Sequence, residues 1–280
     1  MLLRGLKNVK KKKRQFGEEK RRKIMEEKTK PQARTRDLGK GSIPKLLAQL
    51  AIPVVVAQIV NLLYNIVDRI YIGHIPGIGA AALTGVGLFA PILMLINAFA
   101  MLSGSGGAPR AAIFMGKKDN ETAEKIMANC FSLVLIFAIG LTILFSIFAP
   151  KLLILFGASD ATLPYAVEYA RIYIFGSIFV LIVLGMNLFI TTQGFSKISM
   201  MTTLIGAVIN VILDPIFIFV FDMGVQGAAL ATIISQAVSA VWVLVFLTGK
   251  KTILRIRLSR LRLNPKIIGP VLALGVSPFI

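Results

Sequence analysis

The sequence predicts an all-α fold, a polytopic bundle of transmembrane helices, and three observations carry that reading. Of its 280 residues 56% are hydrophobic, above the roughly 45–50% of an ordinary soluble domain. The apolar residues gather into six runs of about 20 residues or more, the length a helix needs to cross the hydrocarbon core. The basic residues fall almost wholly in the N-terminal tail and between alternate runs.

The six runs cover residues 46–72, 80–101, 128–150, 165–191, 199–221 and 227–247. A seventh begins near Ile267 and reaches Ile280, too short to span. Spanning strands would need only about 10 residues each and would alternate apolar with polar, whereas these runs are apolar all round. The first run is also longer than the 7–15-residue core of a signal peptide. The chain therefore divides into a basic tail (1–45), a six-helix unit (46–247), a basic linker (248–266) and the opening of a seventh helix (267–280).

A formal net charge of +19 raises nucleic acid as a partner, so the placement of charge decides. The first 45 residues hold 17 Lys or Arg against 5 Asp or Glu, and 29 of the 32 basic residues lie on one side of the expected bundle. Only Arg69, Lys151 and Arg171 lie toward the other side. Basic segments resist translocation, so the N-terminus and the loops after even-numbered helices are expected in the cytoplasm, as in a multi-pass protein of the plasma (inner) membrane. The tail, with basic clusters at 10–14 and 20–23, has one aromatic, Phe16, and no nucleic-acid motif. It is expected to be a disordered extension that adsorbs to anionic lipid, at about 1 kcal/mol per basic residue near the surface.

The single cysteine, Cys130, allows no disulfide within the chain and has no companions for a metal site, so no cofactor is expected. The stretch Gly104-Ser105-Gly106-Gly107-Ala108-Pro109-Arg110 lacks the pattern of a phosphate-binding loop. Small residues there predict close helix packing, with a bend near Pro109. Residues 117–125 read as a short charged loop. Residues 250–266 carry seven basic residues and no acidic one. Ile253, Ile256, Leu258 and Leu261 within them predict an amphipathic helix on the inner membrane surface.

Ionisable residues inside the membrane are costly, about 2.5–3.5 kcal/mol on insertion scales, and are functional candidates by default. Asn61, Asn65 and Asp68 are spaced i, i+4, i+7 and share one face of the first helix. Asn210 stands one turn before Asp214 on the fifth, and Pro215 cannot donate to the carbonyl of Val211, which frees an acceptor and bends the helix. Both helices run outward, and the two carboxylates differ in depth by only ~5 Å at ~1.5 Å per residue. Two carboxylates at one level in apolar surroundings are suited to exchanging protons or binding a small cation, with Na+ at Asp68 and Asp214 the metal to consider. Glu168 and Arg171 are i,i+3 neighbours expected to form a surface salt bridge. His74 belongs to a short outer loop, and Trp242 suits the aromatic belt.

The motifs as a set resemble the MATE (multidrug and toxic compound extrusion) family. Leu50-Ala51-Ile52-Pro53 with Asn65-Ile66-Val67-Asp68-Arg69-Ile70-Tyr71-Ile72-Gly73 is similar to the family's first helix. Ala82-Leu83-Thr84-Gly85-Val86-Gly87, Asn210 to Ile218 and Gly224 to Ala231 are similar to its second, fifth and sixth. The resemblance covers roughly residues 43–280. It implies twelve helices in two six-helix lobes, of which this chain supplies one and the opening of the next. It further implies antiport of lipophilic organic cations against H+ or Na+. Asp68, Asn65, Asn61, Asn210 and Asp214 would serve in coupling and substrate handling, and Pro53 and Pro215 would bend their helices. Gly275-Val276-Ser277-Pro278 faintly echoes residues 50–53. A chain ending in mid-helix is expected to be a fragment, the other possibility being that two copies assemble.

Two rival readings remain. A flippase for a lipid-linked precursor would need basic residues in its cavity, whereas the cavity candidates here are acidic. A membrane-anchored interaction protein would act through its basic tail. An enzyme is not expected, because no nucleophile–base set appears. Removing residues 1–40 should leave transport intact, and loss of function on that deletion would favour the interaction protein. The native protein's intact mass should lie well above 30.4 kDa, the mass of this chain.

Overall fold

The structure is a computed structural model that describes residues 43–257, 261 and 263–276. Residues 1–42 of the predicted tail, Leu258, Arg260 and Arg262 of the predicted linker, and Ser277 and Pro278 lie outside the described residues. Among the described residues the chain is helical, without strands. Helix α1 covers Ile43–Gly73, α2 Gly79–Leu88, α3 Ala90–Gly116, α4 Asn120–Leu155, α5 Leu163–Thr192, α6 Ser196–Pro215, α7 Gly224–Thr248 and α8 Pro265–Gly275. Six spans are long and apolar enough to cross a membrane, with α2 and α3 together forming the second.

Pro109, where a bend is expected, lies inside α3, which continues through it as a helix. The second span is interrupted at a place not foreseen from the sequence, at Phe89 between α2 and α3, where Pro91 in the first turn of α3 has no N–H to lose. Phe89 is fully buried there and packs edge-on against Tyr169 and Tyr173, with centroids 5.6 and 5.4 Å apart. The small residues do permit close packing. A Cβ on Gly104 would stand 2.7 Å from the carbonyl oxygen of Gly185, and one on Gly106 would collide with the Val271 carbonyl of α8.

The loop expected over 117–125 shrinks to residues 117–119, because Asp119 caps α4. Its Oδ1 accepts the Thr122 N–H at 3.0 Å. Hydrogen bonds from the Thr122 side chain and backbone hold the Asp119 carboxyl below the ordinary range. Glu121 and Lys125, one turn apart and 3.1 Å from each other, extend the helix across the expected loop.

Helix α5 is the pillar of the bundle. It packs against α2, α3, α4, α6 and α7, and 61% of its most apolar window is buried, against 6% for α1. The salt bridge expected between Glu168 and Arg171 is not among the ion pairs of the described residues. Arg171 instead lines an apolar groove between α5 and α7 with Phe175 and Leu230. His74 is exposed, and its Nδ1 lies 2.7 Å from the Ile70 carbonyl. The amphipathic helix expected over 250–266 is also absent among the described residues. From Thr252 to Arg257 the chain is an irregular strap, with Thr252, Leu254 and Ile256 buried, because side-chain acceptors on α4 and at the end of α5 take its N–H groups.

Crossings at backbone contact have no room for a branched side chain. Gly104→Val should lower stability by about 1–3 kcal/mol, read as a lowered unfolding midpoint in detergent, whereas Gly87→Ala, which meets nothing within 4 Å, should not lower it.

Candidate functional site

Helices α1 and α6 pack against each other and bring polar residues of both together. Asp214 is fully buried, Asn210 is 1% exposed and Asp68 is 9% exposed. The carboxyl groups of Asp68 and Asp214, expected at one depth, lie side by side within hydrogen-bonding reach. Asn210 donates from Nδ2 to Asp214 Oδ1 at 2.9 Å and lies 3.4 Å from the Thr232 hydroxyl of α7. Among the described residues no donor reaches Asp68 Oδ1, Asp214 Oδ2 or Asn210 Oδ1. Buried oxygens of this kind are expensive unless something shares their lone pairs. Together they form an all-oxygen acceptor set, the chemistry that a proton or a hard cation satisfies.

Backbone geometry supports this placement. Pro215 ends the regular part of α6, and the chain continues as a π-turn over Ile216–Val220. The Phe221 N–H then bonds to Ile216 O at 2.9 Å and the Met223 N–H to Phe217 O at 3.0 Å. A widened turn beside an intramembrane carboxylate is a frequent accompaniment of functional sites. Pro53, by contrast, sits within α1 without interrupting it.

The stripe of Asn61, Asn65 and Asp68 is parted by the structure. Asp68 turns toward Asp214, while Asn61 and Asn65 line a cleft of about 360 Å³. Asn65 donates to the Asn61 carbonyl at 2.6 Å. Gln58 of α1, Asn97 of α3, Asn187 of α5 and Gln236 of α7 bring further carboxamides, and Asp68 and Asp214 are not among the lining residues. A ladder of bonds fixes the α5–α6 wall. Thr202 donates to Asn187 Oδ1 at 3.2 Å, Asn187 to the Ser199 carbonyl at 3.2 Å, and Ser239 to the Thr202 carbonyl at 3.1 Å.

Sequence reasoning missed Thr232, Tyr64, Tyr169 and Tyr173. All three tyrosines lie within electrostatic reach of Asp68, and Tyr64 and Tyr173 also line the cleft. The i,i+4 spacing of Tyr169 and Tyr173 on a membrane helix was the available signal, and their rings stack at 5.8 Å.

Comparison with known proteins places this geometry. The MatE family model matches residues 53–216. The chain is 27% identical over 242 residues to the multidrug export protein MepA of Staphylococcus saprophyticus, covering 86% of the chain and 53% of the relative. To MepA of Staphylococcus aureus it is 24% identical over 243 residues, with the same coverage. The chain thus spans about half the length of the curated relatives it matches. Among solved structures it superposes at a TM-score of 0.81 and 29% identity on a MOP superfamily transporter from Pyrococcus furiosus whose binding pocket is described as having reverse polarity. An outward-facing multidrug resistance MATE family transporter gives the same score and identity. Each likeness covers 89% of this chain and 55% of the other. The matched segment runs from Pro53 to the residue after Pro215 and encloses Asp68, Asn210 and Asp214, so this six-span membrane chain belongs to the MatE family of transporters.

Proposed function

We propose that this chain is the N-terminal lobe of a two-lobe secondary transporter that exports lipophilic organic cations in exchange for H+ or Na+. The lobe comprises residues 43–248, the segment 249–264 links it to a second lobe, and α8 opens that lobe. The N-terminus lies in the cytoplasm, and the membrane is the plasma membrane. The observation that carries this reading is the buried pairing of Asp68 with Asp214. Two carboxyl groups in contact cannot comfortably both stay charged in apolar surroundings, so the pair takes up a proton or a cation. An incoming cationic substrate, or a change of access to either side, then competes with that occupant.

The carboxamide cleft supplies the substrate half. Amide oxygens accept hydrogen bonds from ammonium groups and amide N–H groups donate to carbonyls. Neither carries a net charge, so binding stays weak enough for release. Tyr64 and Tyr173 offer faces for cation–π contact between cleft and carboxyl pair. The MepA relatives, named as multidrug exporters, support the substrate class. A flippase for anionic lipid precursors is disfavoured, because among the described residues none that lines the cleft is basic.

The full-length protein in proteoliposomes tests this. Asp214→Asn and Asp68→Asn should each reduce gradient-driven dye export by at least about tenfold, the scale of losing one interaction of ~1.4 kcal/mol or more in the rate-limiting step. Unchanged coupled export in both variants would remove the pair from the mechanism. Imposing a pH gradient and a Na+ gradient separately identifies the coupling ion. Asn61→Ala should raise KM for the organic cation about 2- to 10-fold through one lost hydrogen bond, with the ion-to-substrate ratio unchanged.

A further inference from the structure

Three buried polar side chains lie away from both the carboxyl pair and the cleft, and all three face the chain beyond α7. Gln193 caps the C-terminal end of α5 and is 4% exposed. Its Nε2 donates to the Phe189 carbonyl at 2.9 Å, which fixes the amide and points Oε1 off the helix end. Oε1 receives the Thr252 hydroxyl at 2.7 Å and the N–H groups of Ile253 and Leu254, both at 2.8 Å. Glu124 of α4 accepts the Arg255 N–H at Oε1, 3.2 Å away, and pairs through Oε2 with Arg257 Nε at 3.4 Å. Asn129, one turn and a half further along α4, accepts the Asn264 N–H at 2.7 Å and is held by its own bond to the Lys125 carbonyl at 2.8 Å. Asn264 in turn caps α8, accepting the Lys266 N–H at 3.0 Å.

These contacts are made mainly to main-chain N–H groups, which fixes the path of the backbone whatever its side chains. The Ile256 N–H adds a bond to the Leu247 carbonyl at 3.0 Å, and Leu254 is fully buried. A linker that swung away would break three hydrogen bonds to Gln193 Oε1 at once and uncover the buried Leu254. That combined loss opposes detachment.

We propose that Gln193 is a positioning residue that, with Glu124 and Asn129, latches the strap onto this lobe throughout the transport cycle. Motion of the second lobe then pivots downstream of Asn264 instead of at the end of α7. The consequence for motion rests on the two-lobe reading above, whereas the latch itself does not.

Hydrogen–deuterium exchange of the complete protein in lipid nanodiscs tests the latch without any transport. The peptide covering 250–257 should exchange at least about 100-fold more slowly than an unstructured peptide. Gln193→Ala should accelerate it at least about tenfold while peptides of α6 stay unchanged. Thr252→Val alters only the strap and removes one donor, and it should accelerate exchange by a smaller factor even if Gln193→Ala does not fold. Free exchange of the wild-type peptide, or no change in Thr252→Val, would overturn the latch. A reducible cross-link joining Glu124→Cys to Arg257→Cys should leave dye export at the uncross-linked rate. Export arrested by the cross-link and restored by reduction would show that the strap leaves the lobe. Absence of export from the wild type would count against the transporter reading alone, since the exchange result stands by itself.

Discussion

Two carboxyl groups pressed together inside a membrane-spanning bundle set the terms for much of this lobe. Neither Asp68 nor Asp214 can reach water by snorkelling, since each sits on a buried helical face. Their hydrogen-bonding surroundings are polar but uncharged, with Asn210 one turn away from Asp214 on the same helix and Thr232 across on α7, while the charged Arg69 is the next residue along α1. The proline after Asp214 and the π-turn beyond it release the backbone at the same level. The break at Phe89 brings an aromatic ring against Tyr169 and Tyr173, so even the interruption of the second span serves the wall around the pair.

The rest of the architecture keeps that arrangement rigid on one side and accessible on the other. Helix α5 is packed on most sides, and its glycine at 185 lets α3 approach to backbone contact. Helix α1, which carries Asp68, is the least buried of the spans. A carboxylate mounted on the most exposed helix faces one mounted on a helix tied to α7, an arrangement in which the spacing of the pair can respond to the surroundings of α1. The carboxamide cleft adjoins the pair without containing it. Tyr64 and Tyr173 line the cleft and lie within electrostatic reach of Asp68.

Much of this was legible in the sequence, and the reasons differ by feature. The spans follow from run length, because a helix crossing hydrocarbon must be about 20 residues long and apolar. The meeting of Asp68 and Asp214 follows from helical depth and from the i,i+4 Asn beside Asp214. Asn61 and Asn65 share a face with Asp68 by spacing, yet they stand further back along α1, at the level of the cleft, while Asp68 lies beyond it. Thr232 was not legible, because a threonine in a membrane helix has no distinguishing local pattern, and the i,i+4 spacing of Tyr169 and Tyr173 does not by itself separate a site from packing, since that depends on tertiary neighbours. The strap failed for a different reason. Ile253 and Ile256 fit an amphipathic helix equally well, and the distant oxygens of Gln193 and Glu124 decide against it by taking the N–H groups a helix would have used. Arg171 and Glu168 are close in sequence, but the arginine lies along an apolar groove instead.

Infrared difference spectroscopy of the protein in lipid, with Asp68→Asn and Asp214→Asn as references, tests the central claim that the pair holds an exchangeable proton or cation. The account predicts a protonated-carboxyl band in the wild type that is lost on raising pH or on adding Na+, and that is altered or absent in each variant. A wild-type spectrum without such a band and without response to either ion, or a titrating band that persists unchanged in both variants, would contradict it.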